Sequence, residues 1–262
     1  MFSPGKLGEN ILNVMEQSGD IAAVVAALQE RLDSLTPAEE SRREFLATYQ
    51  RTTSAVARAV DRGAFEDPAW VEVWDVDFAG LYLKAFDADR AGESVPRPWR
   101  LAFDAPATLP PLAHVLLGVN AHINYDLPQS LLAVISAEEF DDAALLDRRR
   151  RDHERIDGVL ADRVAAEDAE LATRSARTLL DRALRPLNQR ASKRFLRESR
   201  RKVWHNTVEL HQARVISAEA YAIRLAELEL LSAAKIADLL TPGQVLLRLA
   251  VAGFGVLLPP PR

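Results

Sequence analysis

The sequence contains no cysteine among its 262 residues. Disulfide bonds, thiolate nucleophiles and cysteine-ligated metal sites are therefore excluded, and the composition fits a reducing compartment. The first twenty residues contain no apolar run of the kind that a secretory signal peptide needs. The longest apolar stretch, 245–258, is interrupted by Arg248 and is too short to span a bilayer. We therefore expect a cytoplasmic protein without stable membrane insertion.

Several nucleotide-binding and catalytic motifs are also missing. There is no glycine-rich phosphate loop, no Gly-x-Ser-x-Gly elbow and no His-Glu-x-x-His zinc signature. The net charge of −5 provides no overall field that would attract nucleic acid. A basic stripe between Arg190 and Arg201 is interrupted by Glu198, so we interpret it as a solvated helix face with partly buried arginine stems. We expect no nucleic-acid partner.

No segment alternates between apolar and polar residues for long enough to predict a β-strand. Helix signals recur instead. Thr36-Pro37-Ala38-Glu39 is a capping box, and Asp67-Pro68 begins another helix by the same logic. The pattern predicts an all-α protein, a single multi-helix bundle-like domain of about nine helices. We expect this domain to span 20–258, after a flexible N-terminal segment 1–19 and before a proline-rich tail 259–262.

The C-terminal stretch 245–258 predicts a helix that is apolar on most of its surface. A helix of this kind is not left exposed to water in a stable protein. We expect it to pack on the body of the domain or to form a homodimer.

The densest group of polar residues lies on an apolar helix predicted from about residue 112 to about 135. His122 and Asp126 share one face of this helix, one turn apart, and Pro128 frees the carbonyl of Asn124 beside them. His114 is two turns from His122, roughly 12 Å, so the two histidines cannot share one ion. Because buried polar groups cost free energy unless they are paired or bind something, two interpretations remain open. The pair is either a functional site or a structural contact in which Asp126 orients a core histidine.

Other polar pairs are weaker candidates. His153 with Asp157, and His205 with Glu209, repeat the same spacing on charge-rich helices, where solvated faces are common. Arg155 can clamp a carboxylate or phosphate, or it can simply pair with Asp152. For Asp75, which lies among aromatic residues, placement on the helix surface is favoured. For each of these residues, a functional role and a structural role both remain open from the sequence.

Several segments carry a resemblance to a known family. The most specific is Asn120-Ala-His-Ile-Asn-Tyr-Asp-Leu-Pro128, and looser ones are Glu44-Phe-Leu-Ala-Thr-Tyr-Gln-Arg-Thr-Thr-Ser-Ala-Val56, Phe65-Glu-Asp-Pro68, Asp75-Val-Asp-Phe-Ala-Gly-Leu-Tyr-Leu83 and Pro98-Trp99. They resemble an actinobacterial all-helical family described only as a domain of unknown function, over roughly residues 20 to 250. Asp152 and Arg155 match the family pattern, whereas His153 and Asp157 depart from it.

A second similarity concerns the core helix alone. The arrangement of His122, Asp126 and Pro128 is similar to that of the helical zinc-dependent phospholipase C and nuclease group. This resemblance implies a divalent metal ion and hydrolytic chemistry. The chain lacks the other histidine-rich motifs of that group.

Three functions follow from these observations. The first is an enzyme of small-molecule or lipid metabolism that acts on a small apolar or amphipathic ligand. A metal-dependent form would hold a divalent ion with His122, Asp126 and His205 and activate water, whereas a metal-free form would use His122 as a general base. The alternatives are a non-catalytic carrier with the same pocket, and a structural or interaction module.

The residues assigned to the enzyme hypothesis fall into two sets. The catalytic set comprises His122, Asp126, Asp152 and Arg155, with the last two on a facing helix. The substrate-binding set comprises Asn120, Asn124, Tyr125 and Trp204.

Overall fold

The computed structural model describes residues 20–174 and 201–241, with side chains for 20–159 and 201–241. All regular structure in these ranges is helical, and no strand occurs in them, so the prediction of a single all-α domain is confirmed. The helices are α1 (Ile21–Asp33), α2 (Glu40–Asp61), α3 (Pro68–Arg90), α4 (Arg97–Phe103), α5 (Pro111–Ala121), α6 (Leu127–Val134), α7 (Ala137–Asp141), α8 (Ala143–Arg174), α9 (described over 201–216) and α10 (Ala218–Leu240).

Helix starts follow the capping chemistry that the sequence indicates. The carboxylate of Glu39 accepts a hydrogen bond from the backbone N–H of Thr36 at 3.1 Å, next to a short 3₁₀ turn. The carboxylate of Asp67 accepts from the backbone N–H of Trp70 at the start of α3. Gly63, with φ of +68°, follows the end of α2, where a side chain would be strained.

The predicted long helix around the candidate site has a different form. It consists of α5, a single π-helical turn over His122–Asp126, and α6. This composite helix runs through the middle of the protein, where α5 packs on α2 and α4, and α6 packs on α3. It therefore borders both large apolar clusters, one built mainly from α1–α5 and one from α2, α3, α6, α8 and α9.

The close approach of α2 to α5 depends on Gly118. A Cβ atom at this position would lie 2.3 Å from Cγ of Phe45, which is far inside van der Waals contact. The absence of a side chain lets the Phe45 ring fill this space, and the ring in turn reaches the candidate site.

Four segments with predictions lie wholly or mostly outside the described ranges. They are the N-terminal segment 1–19 and the proline-rich tail 259–262, most of the basic stripe (190–200), and the apolar segment 245–258 with its proposed dimer contact. Among the helices that the structure describes, none has the length and apolar character needed to cross a membrane.

Candidate functional site

The π turn brings His122 and Asp126 into direct contact. Nδ1 of His122 lies 2.9 Å from Oδ2 of Asp126, and both side chains are buried. The same oxygen accepts a hydrogen bond of 2.8 Å from Nε1 of Trp99 on α4. Asp126 thus holds two aromatic N–H groups from different elements of the fold.

The π turn has a local cause in the sequence. Pro128 lacks a backbone N–H and its ring crowds the carbonyl four residues earlier, so a regular α-helix is unfavourable here. The backbone N–H of Leu127 bonds instead to the carbonyl of His122, five residues back. The side chain of Gln129 donates to the carbonyl of Tyr125 at 2.8 Å, within the same turn of the chain. Single π turns of this kind occur frequently at functional sites.

Aromatic rings enclose the imidazole of His122. The ring of Phe78 stacks on it at a centroid distance of 3.6 Å and an angle of 6°, and Tyr49 meets it edge-on at 4.6 Å. Three more rings lie within about 6 Å of its centroid: Phe45, Tyr82 and Trp99. The other ring nitrogen, Nε2, is buried and has no hydrogen-bond partner.

Burial shifts the pKa values of His122 and Asp126 in opposite directions. Burial lowers the pKa of His122, against the opposing effect of the Asp126 contact, and burial raises the pKa of Asp126. Trp99 can only donate, so Oδ2 of Asp126 acts as an acceptor, and we infer that the ring proton of His122 is on Nδ1. Nε2 then carries a lone pair in a site shielded from water.

A further buried polar group lies next to this aromatic enclosure. Asp75 is 8% exposed, its Oδ2 has no hydrogen-bond partner, and burial raises its pKa to about 7. Burial also raises the pKa of Tyr49, and the negative charge of Asp75 adds to this shift. The expectation that Asp75 lies on the helix surface is therefore wrong, because α3 is buried on more than one side.

A small cavity of about 20 Å³ adjoins the aromatic enclosure. Its lining shares Phe45, Tyr82 and Trp99 with the surroundings of His122 and adds residues of α2, α4 and α5: Ser41, Arg42, Ala102, Phe103, His114 and Gly118. A volume of this size holds about one water molecule. His122 and Asp126 do not line this cavity, and they are separated from it by aromatic rings.

The predicted substrate-binding residues are spread over more than one environment. The amide of Asn120 donates to the carbonyl of Leu116, and Asn124 donates to the amide oxygen of Asn120. Tyr125 packs in a separate small apolar cluster with residues of α6, α9 and α10. Trp204 packs against the second large cluster, 5.7 Å from the ring of His153. The structure does not gather the four side chains around His122.

Asp152 and Arg155 belong to a different cluster. The carboxylate of Asp152 is fully buried and accepts hydrogen bonds from the backbone N–H groups of Glu66 (2.7 Å) and Asp67 (2.8 Å). Arg155 pairs with Asp152 at 3.1 Å and with Glu66 at 2.8 Å. These contacts attach α8 to the loop before α3. None of the hydrogen bonds of Asp152 involves His122 or Asp126, so the structure does not join the two halves of the predicted catalytic set.

The histidines on α8 and α9 are also separated from the pair. His205 is exposed on α9, whereas His122 and Asp126 are buried. In the residues with described side chains, no group of three His, Asp or Glu residues could hold a metal ion, so the predicted ligand set is not assembled. The expected solvated face does not apply to His153, which is fully buried between Trp74 and Trp204.

Sequence reasoning missed the residues that complete the site. Trp99 supplies the second N–H to Asp126, and Phe78 and Tyr49 cover the imidazole. All three lie within segments that support the family resemblance, which was the available signal. Their assignment to one site depends on the packing of α2, α3 and α4, which no sequence spacing reveals.

The fold and the site together define an all-α protein with a buried His–Asp pair on a π turn. A family model described as "Family of unknown function (DUF5995)" matches residues 21–242, most of the chain. The chain belongs to this family, in agreement with the resemblance to a domain of unknown function. Comparison with curated proteins and with solved structures finds no match.

Proposed function

We propose that the protein is a metal-independent acid–base enzyme that acts on a small, largely apolar molecule, with His122 as the base. The observation that carries this proposal is the free Nε2 of His122, buried among aromatic rings while Nδ1 is held by Asp126. A histidine that is oriented by a carboxylate through one nitrogen and presents the other is the usual arrangement of a general base.

The energetics support binding at this nitrogen. A buried polar atom without a partner costs about 1–3 kcal/mol, and a ligand O–H or N–H that donates to Nε2 would recover part of this cost. Neutral imidazole is needed for a base, and burial lowers the pKa of His122 in that direction. The bond from Trp99 to Asp126 fixes the carboxylate that orients the ring.

The substrate class follows from the walls of the site. Five aromatic rings surround His122, so a molecule beside it would have a flat or apolar body. Access requires that a wall ring moves, because the neighbouring cavity holds only about 20 Å³. Phe45 separates the cavity from His122, and its ring is the simplest gate.

The metal-dependent form of the hypothesis fits the residues less well. Hydrolytic zinc sites usually have three protein ligands, and His122 with Asp126 would supply two. Nδ1 of His122 is already bonded to Asp126, which leaves Nε2 and one carboxylate oxygen, and no third donor joins them in the described part of the chain.

We also propose a cytoplasmic location, which the absence of cysteine supports.

A metabolite-conversion experiment tests the proposal. Purified protein is incubated with a small-molecule extract of bacterial cells, and the mixture is compared by mass spectrometry with parallel incubations of His122→Gln and Glu154→Gln. Glu154 is exposed on α8 and is the matched control. We expect at least one compound to be converted by the wild type and the control but not by His122→Gln.

Two outcomes contradict the enzyme proposal. A compound that is retained by the protein but returned unchanged would favour the carrier alternative. Neither conversion nor retention, together with a large loss of stability in His122→Gln, would favour a structural role of the pair.

A further inference from the structure

We infer that the cavity between α2, α4 and α5 is a carboxylate-binding subsite, and that the ligand of the proposed site is a small apolar acid. This inference rests on the proposed function, since it names the substrate class of the same site. It is carried by two unpartnered nitrogen atoms that belong to residues lining one cavity: Nη1 of Arg42 and Nε2 of His114.

One nitrogen of the Arg42 guanidinium is paired, and another is free to bind a ligand. Its Nη2 pairs with Asp89 at 2.6 Å, and the guanidinium carbon lies 5.1 Å from the centre of the Phe103 ring. Nη1 is buried and has no partner. A guanidinium N–H in this situation is a strong donor without an acceptor, and a carboxylate oxygen is the acceptor that it binds best.

His114 approaches the same cavity from α5. It is 7% exposed, and its Nε2 is buried without a partner. Burial lowers the pKa of the ring, and the nearby charge of Glu44 opposes this shift. With the ring proton on Nε2, His114 donates to the same ligand as Arg42, while Ser41 lies in the same lining and adds a hydroxyl group.

The remaining walls connect this subsite to the proposed base. Phe45, Tyr82 and Trp99 line the cavity on one side and surround His122 on the other. A ligand with its carboxylate at Arg42 and His114 would extend its apolar body against these rings, toward Nε2 of His122. The cavity as it stands has room for about one water molecule, so a ligand with an apolar body requires the neighbouring rings to move.

Equilibrium binding of phenylacetate, phenylacetamide and acetate tests this inference. Trp99 lies in the cavity wall, so its fluorescence reports binding. We expect saturable binding of phenylacetate to the wild type. We expect at least about tenfold weaker binding of the amide, which lacks the charge, and of acetate, which lacks the ring.

Variants assign the binding to the two nitrogen atoms. Arg42→Gln and His114→Gln are each expected to weaken phenylacetate binding about tenfold or more. The adjacent Arg43 pairs with Glu40 at the surface, so Arg43→Gln is the matched control and should bind as the wild type. Arg42→Lys keeps a positive charge opposite Asp89 and therefore preserves that ion pair. Together with thermal melting of each variant, it shows whether weaker binding is caused by a loss of folding.

The inference is overturned if phenylacetate does not bind, if acid and amide bind equally, or if Arg43→Gln weakens binding as much as Arg42→Gln. Its failure differs from that of the proposed function. Conversion that depends on His122 but not on Arg42 rejects the subsite alone. Acid binding that depends on Arg42 without any conversion rejects the enzyme alone.

Discussion

Replacement of Asp126 by alanine or asparagine separates the two tasks of this side chain. Oδ2 accepts hydrogen bonds from Trp99 and from His122, two residues that are 1% and 2% exposed. Asp126→Ala leaves both donors in a dry core without an acceptor. At about 1–3 kcal/mol for each unsatisfied group, we expect a loss of about 2–6 kcal/mol in the free energy of unfolding.

Asp126→Asn keeps an oxygen of the same shape at nearly the same place. We expect it to cost less than about 2 kcal/mol, while it weakens the polarisation of His122. Both variants are measured by urea unfolding, followed by tryptophan fluorescence and by circular dichroism. If Asp126→Ala lies within about 1 kcal/mol of the wild type, the two hydrogen bonds do not contribute as the structure indicates.

Three other substitutions test the packing around the site. Gly118→Ala should lose about 1–3 kcal/mol of stability, because the added Cβ meets Phe45. Gly80→Ala on α3 has open space around its Cβ and should gain up to about 1 kcal/mol of stability. Thermal melting of the two variants measures both effects. Asp152→Asn should lose about 1–3 kcal/mol in urea unfolding without altering phenylacetate affinity, and a loss of affinity at unchanged stability would restore its catalytic assignment. Burial raises the pKa of Asp75 to about 7 in the folded state, against 3.8 in the unfolded chain, so the free energy of unfolding should fall as the pH rises between these two values. Asp75→Asn should reduce this fall, as measured by urea unfolding at pH 5 and pH 8. An unchanged pH dependence in the variant would contradict the raised pKa of Asp75.

Local chemistry explains why most of the fold was predictable. The capping residues Thr36 and Asp67 begin their helices through contacts within a few residues, so the sequence alone contains the signal. The contact of His122 with Asp126 is equally local, since one helical turn separates them. The π turn between α5 and α6 was not predicted, although Pro128 is its main local cause.

The rest of the site depends on contacts that are distant in the sequence. Trp99 reaches Asp126 across 27 residues, and Phe78 stacks on His122 from another helix. Asp152 has the residue type and burial of a catalytic carboxylate, but it accepts hydrogen bonds from backbone N–H groups 85 and 86 residues away and pairs with Arg155. Spacing along one helix cannot distinguish such a structural carboxylate from a catalytic one.

Nitrogen NMR of the histidine side chains tests the central claim most directly. In protein labelled with ¹⁵N at histidine, long-range proton–nitrogen spectra at pH 7 report which ring nitrogen carries the proton, and His122→Gln identifies the signal of His122. The structure predicts a neutral ring with the proton on Nδ1 and an unprotonated Nε2. A ring protonated on Nε2, or a charged imidazolium, would leave no free base at this position and would contradict the proposed role of His122.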